Sequence, residues 1–210
     1  MIPVSYTHLV WCESGKLLAY GEPFLNVSDI SLRGRHNVEN ILAAACAAQL
    51  AGASLTAIAA GVRSFPGVEH RIEFVRTLNG VSYYNDSKAT NVDATIKALE
   101  SFESGLWVIL GGKDKNSDYT TLRALLHSRA KAALLIGAAA DKIESHLRGC
   151  VRMERCGDLR TAILLARAGA QPGDTVLLAP ACASFDQFTG YEQRGRVFKE
   201  IVNSLGEEQV

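Results

Sequence analysis

From Val68 onward, short runs of strand-forming residues alternate with amphipathic helical segments, and this pattern limits the possible folds most strongly. The predicted strands are Ile72–Val75, Val81–Asn85, Trp107–Leu110, Ala132–Ile136, Val151–Met153 and Thr175–Ala179. The predicted helices are Asn91–Phe102, Tyr119–Ser128, Ala139–Leu147, Leu159–Ala168 and Gln193–Leu205. Such alternation implies a mainly parallel sheet with helices on both faces. The predicted fold class is therefore α/β, with a Rossmann-like sheet.

The beginning of one predicted helix also carries a local signal. Thr90 is followed three residues later by Asp93, the spacing of a capping box at a helix N-terminus. We therefore expect Thr90 to cap the helix that starts near Asn91.

The first third of the chain has a different pattern. Short apolar runs separated by turn residues predict a hairpin of strands between residues 11 and 27. An alanine-rich helix ending near Leu50 and a second helix over Leu55–Arg63 follow, and Phe65-Pro66-Gly67 stops the second helix. The predicted domains are residues 1–68 and 69–210. Residues 1–10 show no capped element, so we expect them not to be the native start of the protein.

Composition restricts the possible partners and the location. Lys plus Arg and Asp plus Glu both number 22, so no overall charge draws the chain to nucleic acid or to an anionic membrane. The five cysteines form no C-x-x-C pair, which favours reduced thiols. No apolar run approaches the ~20 residues of a membrane span, and no signal peptide is recognisable. These observations predict a cytoplasmic protein that binds neither nucleic acid nor membrane.

Three polar segments follow predicted strands: Asp86–Asn91, Gly111–Lys115 and Pro180–Phe188. In an open parallel sheet, ligands bind at the carboxyl ends of the strands. We therefore expect the three segments to converge at one edge of the sheet and to form a candidate anion site.

Each of these residues also has a purely structural interpretation. Asp86 and Thr90 have the types of turn and cap residues, the two glycines suit a tight turn, Lys113 and Lys115 suit a solvated pair, and Ser184 suits a helix cap. His70 suits a satisfied, partly buried histidine. No P-loop, dinucleotide fingerprint, hydrolase elbow or zinc motif occurs in the sequence.

Five motifs taken in order resemble those of the Mur ligase family. They are Gly34-Arg35-His36-Asn37-Val38-Glu39-Asn40-Ile41-Leu42-Ala43-Ala44, His70-Arg71 with Glu73, Tyr84–Asn91, Gly111–Lys115, and Ser184–Phe188 with Glu192–Gly195. Order and intervals agree over roughly residues 15 to 205. The resemblance identifies residues 1–68 with the end of the family's central, ATP-binding domain and residues 69–210 with its C-terminal domain. The forms S-K-A-T-N and A-C-A-S-x-D-Q-F favour the D-glutamate-adding members.

The resemblance implies an ATP-dependent amide ligase of peptidoglycan assembly. ATP phosphorylates the carboxylate of UDP-N-acetylmuramoyl-L-alanine, and the amine of D-glutamate attacks the acyl phosphate. Mg²⁺ is implied beside ATP, with its ligands and the P-loop in family segments that this sequence lacks. Because these segments are missing, we expect this chain alone not to turn over ATP. We also expect a monomer. Two alternatives are open: a Mur ligase for another amino acid, and a non-catalytic Rossmann-like binding module.

The resemblance also implies roles for individual residues. The catalytic residues implied are His70 and Lys88. The D-glutamate-binding residues implied are Thr90, Lys115, Ser184 and the backbone near Tyr191, which stands where better-known members carry Phe. The nucleotide-binding residues implied are Asn37, Asn40, Arg71 and Asp86. No metal ligand is implied within this chain.

Overall fold

The computed structural model describes residues 9–206. The chain forms two compact units, one up to Gly67 and the other from Val68 onward. None of the helices in the described range is long and apolar enough to cross a membrane.

The first unit is a small antiparallel sheet with two helices. Its strands β1 (Val10–Glu13), β2 (Lys16–Ala19) and β3 (Glu22–Asn26) pair in sequence order, which confirms the predicted hairpin pattern. The helices are α1 (Arg35–Leu50) and α2 (Leu55–Ser64). The expectation that residues 1–10 hold no element is wrong at Val10, because its pairing with Ala19 begins β1. Residues 1–8 lie outside the described residues.

The second unit is a six-stranded sheet with strand order β4-β5-β9-β6-β7-β8. Its strands are β4 (Glu73–Leu78), β5 (Val81–Asn85), β6 (Leu106–Gly111), β7 (Ala130–Ile136), β8 (Met153–Gly157) and β9 (Thr175–Leu178). Its helices are α3 (Val92–Glu100), α4 (Arg123–Arg129), α5 (Ala140–Leu147), α6 (Leu159–Gly169) and α7 (Tyr191–Ser204). Only β4 runs antiparallel to its neighbour. The predicted α/β class is confirmed.

Helices cover both faces of this sheet. Buried residues of α3, α4 and α5 pack on one face, and buried residues of α6 and α7 pack on the other. All six residues of β6 are buried, as expected for a central parallel strand without a solvent face.

Two strands differ most from their predicted bounds. Strand β4 runs to Leu78 instead of Val75, because Asn79 and Gly80 both adopt positive φ in a tight turn that pairs β4 with β5. Strand β8 begins where the prediction over Val151–Met153 ends. Its polar residues Glu154 and Arg155 break the apolar pattern expected of a strand, and pairing with β7 defines it instead.

Candidate functional site

The loops that follow β5, β6 and β9 lie together at the carboxyl edge of the sheet. We call residues 86–91, 111–115 and 179–188 the rim loops. The Ala181 N–H donates to the Ala89 carbonyl at 2.9 Å, and Lys113 and Ala183 exchange backbone hydrogen bonds of 2.8 and 3.2 Å. Because β9 lies between β5 and β6, its loop contacts both others. The predicted convergence of the three loops is confirmed.

Two glycines allow the backbone to pass close to neighbouring segments at this edge. A Cβ on Gly111 would lie 1.9 Å from the Ile136 carbonyl oxygen, and one on Gly112 would lie 2.2 Å from the Ala183 carbonyl oxygen. Both residues also have positive φ, at 124° and 133°. The structural interpretation of this glycine pair, a tight turn that only glycine allows, is therefore confirmed.

The rim loops carry three exposed lysines without a carboxylate partner among the described residues: Lys88, Lys113 and Lys115. The other lysines of the second unit each form an ion pair: Lys97, Lys131, Lys142 and Lys199. The Lys88 Nζ lies 5.9 Å from the centroid of the Tyr191 ring. The unpaired positive charges of this unit's lysines are thus concentrated where the loops meet, which favours binding of anions.

Asp114 lies between two of these lysines, but its carboxylate is already occupied. It accepts hydrogen bonds from the Tyr119 hydroxyl at 2.7 Å, the Lys142 Nζ at 2.8 Å and the Ser117 N–H at 3.0 Å. Burial raises the pKa of Asp114, but these hydrogen bonds outweigh burial and hold the pKa well below its usual range. Asp114 therefore fixes the loop rather than neutralising the neighbouring lysines.

Ser184 presents a hydroxyl that has no hydrogen-bond partner among the described residues. Its side chain is buried, and its carbonyl accepts from the Gln187 and Phe188 N–H groups at 3.1 and 2.8 Å. Ser184 caps no described helix, so that interpretation is wrong: the segment turns before α7 begins at Tyr191. Every fully enclosed side-chain N or O in the described range has a partner, so the Ser184 Oγ is not fully enclosed.

The loop after β5 holds a buried carboxyl group. Asp86 is 5% exposed, and its Oδ1 accepts one hydrogen bond, from the Ile72 N–H at 3.3 Å. Burial raises the pKa of Asp86 to about 7, although the Ile72 hydrogen bond and the charge of exposed Arg71 oppose the increase. Asp86 thus keeps acceptor capacity that the described residues do not use.

The expectation that Thr90 caps the next helix is wrong. Asn91 is the cap of α3, and its Oδ1 accepts from the Ala94 N–H at 2.8 Å. The Thr90 N–H instead donates to the Lys88 carbonyl at 2.8 Å, which places Thr90 within the loop. Its partly buried side chain is therefore not committed to the helix.

His70 lies beneath the rim rather than on it. The ring is almost fully buried, and its Nδ1 is 2.9 Å from the Asn85 Nδ2, which can only donate. The Nδ1 therefore accepts, and the proton of the neutral ring is on Nε2. Burial lowers the pKa of His70, while Glu69 and Glu73 oppose that shift. The geometry matches the satisfied, buried histidine of the structural interpretation.

One group of three side chains has the spacing of metal ligands: Glu69, His70 and Glu73. The Lys199 Nζ already binds the two carboxylates, at 2.7 Å from Glu69 and 2.9 Å from Glu73. His70 uses Nδ1 toward Asn85. This group therefore does not fit Mg²⁺, which requires oxygen ligands in octahedral geometry.

The sequence interpretation gave no role to Arg194, although it lies at the centre of the rim. Arg194 is fully buried and donates to the hydroxyl and carbonyl of Ser87 and to the carbonyls of Cys182 and Ala183. A signal was present: Arg194, Phe198 and Val202 are spaced by four residues on the buried face of α7. An arginine on an otherwise apolar stripe indicates a buried partner.

In the first unit, the two predicted nucleotide-binding residues interact with each other. The Asn37 Nδ2 donates to the Arg33 carbonyl at 2.7 Å, and its Oδ1 accepts from the Asn40 Nδ2 at 3.4 Å. Asn37 is buried and Asn40 is exposed. The role of these asparagines in a nucleotide site stays a prediction.

An open, mainly parallel α/β sheet with helices on both faces defines the class of Rossmann-like domains. Residues 70–182 match the family model described as Mur ligase, glutamate ligase domain. This match covers more than half of the chain, and the chain belongs to the Mur ligase family.

The similar proteins agree with this assignment. The chain is 61% identical over 190 residues to a UDP-N-acetylmuramoylalanine–D-glutamate ligase of Solibacter usitatus, covering 90% of this chain and 43% of the relative. It is 56% identical over 183 residues to the protein of the same name from Koribacter versatilis, covering 87% and 40%. The chain thus spans about two fifths of the length of these curated relatives.

Solved structures show the same fold at low sequence identity. A pseudomurein peptide ligase type C from Methanothermus fervidus has a TM-score of 0.66 at 21% identity, covering 93% of this chain and 41% of that protein. The UDP-N-acetylmuramate-alanine ligase MurC from Thermotoga maritima has a TM-score of 0.64 at 17% identity, covering 90% and 42%.

Proposed function

We propose that this chain is the C-terminal part of an ATP-dependent ligase that adds D-glutamate to UDP-N-acetylmuramoyl-L-alanine in peptidoglycan synthesis. The observation that carries the proposal is the set of unpaired lysines, Lys88, Lys113 and Lys115, on the rim loops, together with the Ser184 hydroxyl, which has no hydrogen-bond partner among the described residues. The relatives that share 56–61% identity are named as ligases for this amino acid. A cytoplasmic monomer is part of the same proposal.

D-Glutamate carries two carboxylates, so its site needs hydrogen-bond donors at two places. In the proposal, Lys115 and Thr90 bind one carboxylate. Ser184 and the backbone near Tyr191 bind the other. Tyr191 begins α7, and the first N–H groups of a helix lack intrahelical acceptors and attract anions.

In this proposal, the nucleotide is bound on the second unit by residues that precede β4 and follow β5. Lys88 supplies a point charge for the phosphates, and its N–H donates to the carbonyl of His70, the residue before the exposed Arg71. The free acceptor capacity of Asp86 suits the ribose hydroxyls. Asn37 and Asn40 of the first unit stay predicted nucleotide-binding residues in this proposal. His70 acts beneath the rim by holding Asn85 in place.

The reaction needs an activated carboxylate, because a bare carboxylate has no good leaving group. Phosphorylation by ATP forms a mixed anhydride, attack by the amine of D-glutamate makes the amide bond, and phosphate departs with the bonding electrons. Mg²⁺ would neutralise phosphate charge. In this proposal its ligands belong to the family segments that carry the P-loop.

The test is amino-acid-dependent phosphate release by the protein in its full natural length, with ATP, Mg²⁺ and UDP-N-acetylmuramoyl-L-alanine. We expect saturable release with D-glutamate, and none with L-alanine, L-lysine or diaminopimelate. Release with one of the other amino acids would assign another Mur ligase activity. The 210-residue chain alone is expected to release no phosphate, and robust release by it would refute that expectation.

A non-catalytic binding module is the alternative from another class. It predicts that the full-length protein binds D-glutamate or nucleotide in calorimetry but forms no amide product. A product of the expected mass excludes this alternative.

A further inference from the structure

Arg194 joins the loops that carry the proposed ligands, although the proposed reaction gives it no direct role. Its Nε donates to the Ser87 Oγ at 2.9 Å and its Nη2 donates to the Ser87 carbonyl at 2.9 Å. Its Nη1 and Nη2 each lie 3.2 Å from the Cys182 carbonyl. One side chain thus fixes the residue before Lys88 and a residue two positions before Ser184.

The same guanidinium also reaches the start of α7 through one hydroxyl. The Ser87 Oγ accepts from Arg194 and donates to the Tyr191 carbonyl at 2.8 Å. All five hydrogen bonds of Arg194 go to neutral oxygens, and the residue is 0% exposed. A buried cation bonded only to carbonyls and a hydroxyl is costly, so its planar fork must satisfy several acceptors at once.

We propose that Arg194 is a positioning residue that holds the Lys88 loop, the Ser184 loop and the start of α7 in the geometry that binds D-glutamate. The inference rests on the proposed ligase function. Arg194 is enclosed beneath the loops and acts on the substrate only through Ser87, Cys182 and Ala183. Its positive charge also lies below a rim whose exposed lysines are unpaired, which adds to the attraction for a dicarboxylate.

Arg129 provides a matched control. Its Nη1 also donates to two carbonyls, those of Leu99 at 2.9 Å and Phe102 at 2.6 Å, but these close the end of α3 away from the rim. Arg194→Lys and Arg129→Lys both keep the charge and lose the planar fork. Both substitutions are expected to lower the melting temperature. Only Arg194→Lys is expected to change substrate binding, because only Arg194 holds loops of the proposed site.

The experiment measures D-glutamate-dependent phosphate release by the full-length protein, at a temperature where circular dichroism shows each variant folded. Wild-type activity comes first, because its absence would overturn the ligase function itself. Given an active wild type, we expect Arg194→Lys to raise the KM for D-glutamate by about tenfold to a hundredfold, the cost of a small misplacement of binding groups. Arg129→Lys is expected to leave this KM unchanged.

A double-mutant cycle separates positioning from general destabilisation. If Arg194 acts by holding the Ser184 loop, Ser184→Ala combined with Arg194→Lys raises the KM by less than the product of the two single effects. Ser184→Ala combined with Arg129→Lys raises it by the product. The inference would be overturned if both double variants raised the KM by the product of their single effects. It would also be overturned if Arg194→Lys left the KM unchanged. Ser87→Ala, which removes only the shared hydroxyl, replaces Arg194→Lys if the latter does not fold.

Discussion

The two edges of the six-stranded sheet each contain a buried aspartate, and the two carboxylates differ in how many hydrogen bonds they accept. Asp174 at the amino edge and Asp86 at the carboxyl edge are both 5% exposed. Asp174 accepts from the Gln171 N–H, the Trp107 Nε1 and the Lys131 Nζ at 2.9, 3.3 and 2.9 Å. Asp86 accepts from a single N–H.

The pKa values of the two carboxyl groups reflect this difference. Burial raises the pKa of both, but at Asp174 the hydrogen bonds outweigh burial and lower the pKa, whereas the pKa of Asp86 rises to about 7. The lysines at the two edges differ in the same way. Lys131 at the amino edge pairs with Asp174, while Lys88 and Lys115 at the carboxyl edge have no carboxylate partner among the described residues. The amino edge satisfies its own polar groups. The carboxyl edge leaves groups available for a ligand.

The largest expected effect is a dependence of stability on pH that arises from Asp86 at the carboxyl edge. The folded-state pKa of Asp86, about 7, lies above its ordinary value of 3.8, so its contribution to stability is fully present below the ordinary value and is lost as pH rises through 7. Asp86→Asn removes this dependence. We expect urea denaturation to show wild type losing roughly 4 kcal/mol relative to the variant between these pH values. Parallel stability curves for the two proteins would contradict the buried, uncompensated state of Asp86.

A substitution at the amino edge should lower the free energy of unfolding without changing substrate binding. Asp174→Ala leaves the Gln171 N–H and the Trp107 Nε1 without their acceptor, so we expect a loss of about 2–3 kcal/mol in the free energy of unfolding. Lys131 is half exposed, and its ion pair adds little to that loss. The KM for D-glutamate in the full-length protein should not change. A changed KM would show that the edges are not independent.

Removal of a lysine at the carboxyl edge should change substrate binding without changing stability. Lys115→Ala is expected to raise the KM for D-glutamate by about tenfold to a hundredfold, as expected for a lost hydrogen bond to a charged group. The melting temperature should stay the same, because Lys115 is exposed and forms no ion pair with the described residues. Lys97→Ala, which removes an exposed lysine paired with Glu100, is the matched control and should leave the KM unchanged. Equal effects of both substitutions would argue against a site at the rim.

The smallest expected effect concerns the support of the Lys115 loop. Tyr119→Phe removes the hydroxyl that donates to Asp114 at 2.7 Å and contacts the Cys182 sulfur at 3.0 Å. We expect a loss of about 1 kcal/mol in unfolding free energy and a few-fold rise in the KM for D-glutamate. Thermal denaturation and steady-state kinetics of the full-length protein measure the two effects. An unchanged KM with the expected loss of stability would show that the loop keeps its geometry without this hydroxyl.

The sequence alone predicted the elements and the class of fold, because these depend on local periodicity. The uniformly apolar stretch over Trp107–Leu110 and the helical stripes of α3 and α6 read clearly as a buried strand and amphipathic helices. The edge strand β8 was misplaced for the opposite reason, since its adjacent polar residues Glu154 and Arg155 interrupt the apolar pattern. Motif order predicted the family, and the match over residues 70–182 confirmed it.

Tertiary structure alone decided which groups at the site are free and which are occupied. Asp114 and Lys115 are adjacent in sequence, yet Asp114 is bound by Tyr119 and Lys142 while Lys115 is exposed. The position of β9 between β5 and β6 brings Ala183 to Lys113 and lets Arg194 reach Ser87. Strand order and burial arise from contacts between distant residues. The identity of a side chain determines which bonds it can make, and the packing of the whole sheet determines which partners it meets.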